Sequence, residues 1–233
     1  MCGRFVLQHD SLEIADRFGV SLIECPDIKK SYNIAPTDKV AVVIEDGVKK
    51  LVQVRWGLIA RWTGAPQPRA GMINARAETL ASKASFREAF LSQRCLVVAD
   101  GFFEWRKDGT RKTPIYIKLK SGDPFGFAGL YEDSLTADRE NCRTCTIITT
   151  EPNELMSAIH NRMPVILPRE AEDDWLDPNN VSYDELLGLL KPYPAAEMEA
   201  YQVSRRVNSV RNNDPSLIEP AVEDEPYTPS LFD

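Results

Sequence analysis

Cys2 is the residue with the most distinctive chemistry in this sequence. If Met1 is removed, a step the small cysteine side chain permits, the chain begins with a 1,2-aminothiol. An α-amine has a pKa of about 8 against about 10.4 for lysine, so its neutral fraction at pH 7 is roughly two hundred-fold larger. A neutral amine condenses with an aldehyde to an imine, and the adjacent thiol can close onto the imine carbon as a five-membered thiazolidine. The alternative is a small buried cysteine behind a retained methionine.

Glu104 lies in the run ADGFFEWRKDG. If that run is a strand, Phe102, Glu104 and Arg106 share one face and Phe103 and Trp105 the other. A carboxyl group against aromatic surface has its pKa raised and serves as a general acid or base. A surface glutamate paired with Arg106 is the competing reading. His160 closes the helical pattern NELMSAIH, where the negative helix end would favour its protonated form for proton shuttling or phosphate contact. It could equally be a simple C-terminal cap.

INARAET places Asn74, Arg76 and Glu78 on one side of an extended segment. An asparagine can orient an amine through its two-sided amide, and an arginine can fork onto phosphate oxygens. An edge strand with a polar face would look the same. RWGLIARW sets Trp56 and Trp62 among Arg55 and Arg61, a mixture that stacks single-stranded bases or that describes core tryptophans with solvated arginines. Cys142 and Cys145 form a lone CxxC without the further ligands that a structural zinc needs, and no thioredoxin-like βαβ pattern surrounds them. No metal or cofactor is expected.

The elements that must hold these residues can be read from periodicity and turn signals. Helices are expected at Asp10–Phe18, Ser82–Leu91, Asn153–His160, Arg169–Trp175 and Tyr183–Leu190. Strands are expected at Val40–Glu45 and Leu51–Trp56, joined across Asp46-Gly47, and at Cys95–Ala99, Phe125–Leu130 and Cys145–Thr150. Gly101–Leu119 reads as a hairpin with Asp108-Gly109 at its tip. Short strands with interspersed helices and no βαβ alternation predict an α+β fold. It is a single domain with a mixed, partly closed β-sheet core flanked by helices. That domain is expected over residues 1–211, followed by an acidic, mobile tail over 212–233.

Composition narrows the function classes. Of 233 residues, 43% are hydrophobic and 27% charged, an ordinary globular balance with no apolar run that would span a bilayer. MCGRFVLQHD lacks the pattern of a secretory signal, and five scattered cysteines fit a reducing cytoplasm. The net charge of −7 is uneven: six acids and no base follow Arg211, whereas Lys50 to Ile115 carries twelve Lys and Arg against five Asp and Glu. A phosphate-binding face is compatible with that distribution.

The runs MCGRF, SYNIAPTD, RWGLIARW, INARAET, SFREAF, RCLVVADGFFEW, AGLYE, IHNRMPVIL and VSRRVNSVRNNDPSLIEP together carry a resemblance. In this order, from Cys2 to Pro220, the sequence resembles the SRAP (SOS response-associated peptidase) family. The resemblance implies a sensor of abasic sites in single-stranded DNA, in which the mature Cys2 captures the ring-opened sugar aldehyde as a thiazolidine crosslink. Lyase action through the imine and self-processing peptidase activity accompany that implication. By the same resemblance Asn74 positions the amino terminus and sugar, and Glu104 is the acid/base carboxylate. His160 is associated with imine chemistry and reversal. Arg4, Arg76 and Arg162 match phosphate-contacting arginines, and Trp62 and Trp105 lie where bases or duplex ends are met. A cytoplasmic, nucleoid-associated place follows if the source is bacterial.

The sequence departs from the family pattern at AGLYEDS, which lacks a tryptophan after the glutamate, at Ala60 in place of proline, and at Phe103 in place of tyrosine. Two other functions stay open: a thiol peptidase with Cys2 as nucleophile and His160 as base, and a module that binds single-stranded DNA without covalent chemistry. The tail run Pro229-Ser230-Leu231-Phe232 could dock on a replication sliding clamp, although the usual glutamine is absent.

Overall fold

The computed structural model describes residues 2–60, 71–135 and 141–221. The first part of the chain forms β1 (Phe5–Leu7), α1 (Ser11–Phe18), β2 (Leu22–Ile23), β3 (Ser31–Ile34), β4 (Lys39–Glu45) and β5 (Lys49–Trp56). The middle forms β6 (Asn74–Arg76), α2 (Ala84–Ser92), β7 (Arg94–Ala99), β8 (Gly101–Asp108) and β9 (Arg111–Leu119). The last part forms β10 (Phe125–Leu135), β11 (Asn141–Thr150), α3 (Glu154–Ser157), β12 (Met163–Pro164), α4 (Arg169–Leu176), α5 (Tyr183–Leu189) and β13 (Met198–Gln202). No helix among the described residues is long and apolar enough to cross a membrane.

Strands β5, β4, β7, β10 and β11 pair in that order. The far edge of β11 then pairs in parallel with β5 through Thr144–Arg55 and Cys145–Trp56, so the five strands close into a barrel. All six residues of β7 are buried, because the barrel interior takes one face and helices α2 and α4 cover the other. The α+β fold with a partly closed sheet is therefore the observed one.

A second, antiparallel sheet runs β13-β9-β8-β1-β3 and packs its inner face on the barrel. Phe5 meets Trp56 with ring centroids 5.1 Å apart, and Phe102 meets Phe127 at 5.8 Å. Alternation along β8 sends Phe103 to the opposite side, into a smaller cluster with Val6, Tyr116, Val203, Val207 and Leu217. Each fully buried Phe contributes about 1.5–3 kcal/mol, so the two faces hold β8 from both sides. Gly101 is required at the start of β8 because a Cβ there would lie 2.4 Å from the Tyr116 hydroxyl.

The helices seal the barrel through specific polar contacts. Asp10 caps α1, accepting from Leu12 and Glu13 N–H, while Glu13 accepts from Asp10 N–H at 2.8 Å. Arg17 of α1 forks onto Glu172 of α4 with both bonds at 2.9 Å. Arg94 of β7, 4% exposed, donates to five carbonyls, those of Phe90, Leu91, Trp175, Asp177 and Asn180.

Packing continues past residue 211 through residue 221, and the rest of the segment expected as a tail over 212–233 lies outside the described residues. Leu217 is fully buried, the Tyr201 hydroxyl donates to the Ile218 carbonyl at 2.8 Å, and Ala221 N–H donates to Gln202. The apolar pair Leu217–Ile218 anchors this stretch despite its acidic surroundings. Pro229–Phe232 lie outside the described residues, as does Trp62.

Candidate active site

The N-terminal strand brings Cys2 to Glu104. Phe5 pairs with Phe102 and Val6 with Gly101, and Phe103 N–H donates to the Arg4 carbonyl at 2.9 Å. Asp100 reinforces this zipper: its N–H donates to Val6, its carboxylate accepts from Gln8 N–H, and its Oδ1 lies 2.5 Å from His9 Nδ1. The residues before Phe5 consequently run alongside Glu104.

Cys2 is 0% exposed, with its Sγ 4.0 Å from the Arg4 carbonyl. Burial pushes the thiol pKa far above its ordinary range, and the negative charge of Glu104 pushes it further. The resting sulfur is a protonated thiol at neutral pH. Glu104 is itself 3% exposed, and the surface pairing with Arg106 does not occur, because Arg106 bonds Asp108 at 3.2 Å instead. Its side chain lies on the same face of β8 as Phe102.

Asn74, Arg76, His160 and Arg162 gather at the end of β11. Strand β6 pairs in parallel with β11, placing Asn74 beside Ile147 and Arg76 beside Thr149. The other edge of β11 takes β12, with Thr149 opposite Pro164. Asn74 Nδ2 donates to the Ile73 carbonyl at 3.0 Å, while its Oδ1 is buried with no hydrogen-bond partner among the described residues. Such an orphaned acceptor is costly unless a ligand or a chain group meets it. Arg76 is exposed.

Arg162 forks onto Glu78 at 2.5 and 3.0 Å and donates to the Thr149 carbonyl at 2.6 Å. That fork holds the Glu78 carboxyl below its usual pKa. His160 Nδ1 lies 3.1 Å from Arg162 N–H and 3.2 Å from the Arg162 carbonyl, so the backbone of Arg162 orients the imidazole. The expected helix to His160 ends at Ser157, because both Ile159 and His160 N–H bond back to Met156 and close the chain into a turn. His160 therefore lies three residues past the end of α3.

One aromatic contact joins the two halves. Phe5 meets Trp56 edge-on, and the Trp56 indole donates at 2.9 Å to the carbonyl of Ile73, the residue before Asn74. Trp56 is thus a core tryptophan. Arg4 is committed to structure on its guanidinium, donating to Asn33 Oδ1 (2.7 Å), Val207 O (2.8 Å) and Asn208 O (3.3 Å). Trp105 lies 6.0 Å from the Arg4 guanidinium and donates to Asn208 Oδ1 at 2.8 Å.

Several supporting residues were not singled out from sequence. Asn33, 4% exposed, donates to Val207, Ser209 and Asn212 carbonyls and so docks the C-terminal segment on the site. Its position inside SYNIAPTD was the available signal. Asp100 was visible in ADGFFEW, but its partner His9 is 91 residues away, just as the partner of Glu78, Arg162, is 84 residues away. Cys142 and Cys145 stand three residues apart on β11, which points them to opposite faces and prevents them from sharing one ion.

Comparison with known proteins gives this arrangement its family. The model for SOS response associated peptidase (SRAP) matches residues 1–210. The abasic site processing protein YoqW of Bacillus subtilis (strain 168) is 49% identical over 222 residues, covering 94% of this chain and 99% of that protein. The abasic site processing protein YedK of Escherichia coli (strain K12) is 31% identical over 227 residues, covering 94% of this chain and all of that protein (100%). A solved structure of a protein from Bacteroides thetaiotaomicron superposes with a TM-score of 0.85 at 30% identity, covering 95% of this chain and 100% of the other. With its sequence and its fold both matched over nearly their whole length, the chain belongs to the SRAP family.

Proposed function

We propose that this protein processes abasic sites in single-stranded DNA by forming a covalent thiazolidine through the mature Cys2. The observation that carries the proposal is the fully buried Cys2 thiol held in the field of the Glu104 carboxylate. The names of the relatives support the substrate, since those proteins are abasic site processing proteins.

Once Met1 is removed, the Cys2 amine attacks the aldehyde carbon of the ring-opened sugar, and loss of water leaves an imine. The buried Oδ1 of Asn74 is an acceptor suited to an amine N–H, and would aim the nitrogen lone pair away from itself. The thiol then adds across the imine: the sulfur–carbon bond forms and the thiol proton ends on nitrogen. A protonated thiol needs a carrier for that proton, and Glu104 supplies a carboxylate for the transfer. His160, oriented through Nδ1 by the Arg162 backbone, would serve ring opening and reversal. The same imine allows strand cleavage by elimination if the thiol fails to close. Arg76, exposed beside Asn74, is best placed of the three arginines for a phosphate, while Arg4 and Arg162 chiefly hold the site together. Flexible single strands expose the sugar without an unpairing cost.

The test is an abasic single-stranded oligonucleotide mixed with the Met1-processed protein. A denaturation-resistant adduct is expected from the wild type and none from Cys2→Ala. An undiminished adduct in Cys2→Ala overturns the proposal. Intact mass of a Glu104→Ala, His160→Ala double variant addresses peptidase action: retained Met1 would implicate the site in its own processing, and normal loss a separate aminopeptidase.

A further inference from the structure

The hairpin β8–β9 continues beyond Glu104, and its outer end is assembled against its own stability. Lys107 pairs directly opposite Lys112. Directly opposed residues share a face with Cβ atoms about 4.5–5.5 Å apart, where like charges repel. Both lysines are exposed, and neither joins a salt bridge among the described residues. The tip acid cannot relieve them: alternation puts Asp108 on the other face, where it bonds Arg106.

The same alternation puts Trp105 and its partner Pro114 on the lysine face. Trp105 is tied through its indole to Asn208, so the segment carrying the exposed Arg211 lies against that face too. An aromatic ring beside unpaired cations is the composition that follows a nucleic-acid backbone. Lys107 stands three residues beyond Glu104, about 10 Å along the strand at ~3.4 Å per residue, and on the opposite face of β8, so a DNA strand leaving the site would reach it round the outer end of the hairpin.

We infer that the Lys107/Lys112 face of the hairpin is an auxiliary contact for the phosphate backbone of the DNA strand whose lesion is captured. This rests on the reading that the protein acts on single-stranded DNA. It adds a contact made through the hairpin, outside the residues at Cys2 and at the end of β11. The attraction of the phosphates would offset the repulsion that the free hairpin carries.

The test compares wild type with Lys107→Gln/Lys112→Gln in binding an undamaged single-stranded 15-mer, so that no covalent step enters. Each phosphate contact on a single strand contributes about 0.7 to the slope of log affinity against log salt, so the double variant should lose about 1.4. Lys107→Arg/Lys112→Arg should keep the wild-type slope. A slope equal to wild type in the Gln variant overturns the inference. Melting temperature separates folding from binding: the Gln variant should melt at or above wild type, since it loses only a repulsion. Adduct formation with an abasic strand is read in parallel. No adduct with a normal slope difference refutes covalent capture and leaves the hairpin contact standing, whereas a normal adduct without a slope difference refutes the hairpin contact alone.

Discussion

Thr37 has a φ of 82°, a conformation that a β-branched residue rarely adopts. It occupies the third position of the turn Ala35–Asp38, with Pro36 at the second and Asp38 N–H bonded to the Ala35 carbonyl at 3.1 Å. A turn with proline second and positive φ third is type II, which takes Gly or Asn at that place. Thr37 is kept there by its N–H bond to Trp56 O and by Trp56 N–H to Asp38 O, both 2.9 Å. Asp38 in turn sets its charge near Arg4, countering the fall in the Arg4 pKa that burial imposes. Such strain is worth about 1–3 kcal/mol. Thr37→Gly should therefore raise the unfolding free energy by about 1 kcal/mol in urea, part of the relief being returned as glycine's entropy. A loss of stability on this change would show that the threonine side chain, not the turn, is what the fold uses. At this scale the sequence announces residue types but not their states. Cys2, Asn74 and Glu104 stand out in the sequence by their chemistry. The burial of Glu104 does not, because its flanks Arg106, Lys107 and Asp108 read as a solvated strand. The unmet acceptor of Asn74 depends on contacts no local window contains.

Among the elements, α2, β7, α4 and the loop after α4 are fastened by Arg94. Its guanidinium is nearly enclosed and burial lowers its pKa, yet five carbonyl bonds keep it charged and satisfied. Removing it strands carbonyls at the ends of two helices. Arg94→Ala should cost about 3 kcal/mol or more in denaturant unfolding, with amide exchange accelerated in α2 and α4 before the β8–β9 hairpin. A loss below about 1 kcal/mol would mean that water replaces the guanidinium without penalty. The elements that sequence identifies well are those with local punctuation: the hairpins at Asp46-Gly47 and Asp108-Gly109, and α1 with its Asp10 cap. Strands β1 and β3 are three and four residues long and exist through partners such as Phe102 and each other, far along the chain. Strand β13, MEAYQ, has the composition of a helix and is extended because Met198 to Gln202 complete the ladder with β9. Helix α3 is shorter than its pattern because Met156 draws the chain into a turn.

For the whole molecule, enclosure has a consequence in alkali. Cys2, Cys95 and Cys145 are fully buried, and burial raises all three thiol pKa values well above normal. An unfolded thiol loses its proton near pH 8.5, whereas these keep theirs in the fold. Above about pH 8.5 the unfolded chain therefore binds fewer protons than the native one, and stability must fall as pH rises. Each thiol contributes about 1.4 kcal/mol per pH unit, so the three give a limiting decline of about 4 kcal/mol per unit, with Tyr116 adding to it at higher pH. Urea midpoints between pH 7 and 10 should show this fall, and Cys95→Ala/Cys145→Ala should flatten it by up to about two thirds. A pH-independent midpoint would place these sulfurs in water. The barrel that shields Cys95 and Cys145 is closed by the parallel β11–β5 pairing, which periodicity cannot reveal because neither strand differs locally from an edge strand. The shielding of Cys2 has another side. Peroxide and small disulfides attack ionised, accessible sulfur. A buried, un-ionised sulfhydryl such as that of Cys2 is shielded from both, so the group proposed to capture the sugar stays reduced through an oxidising episode.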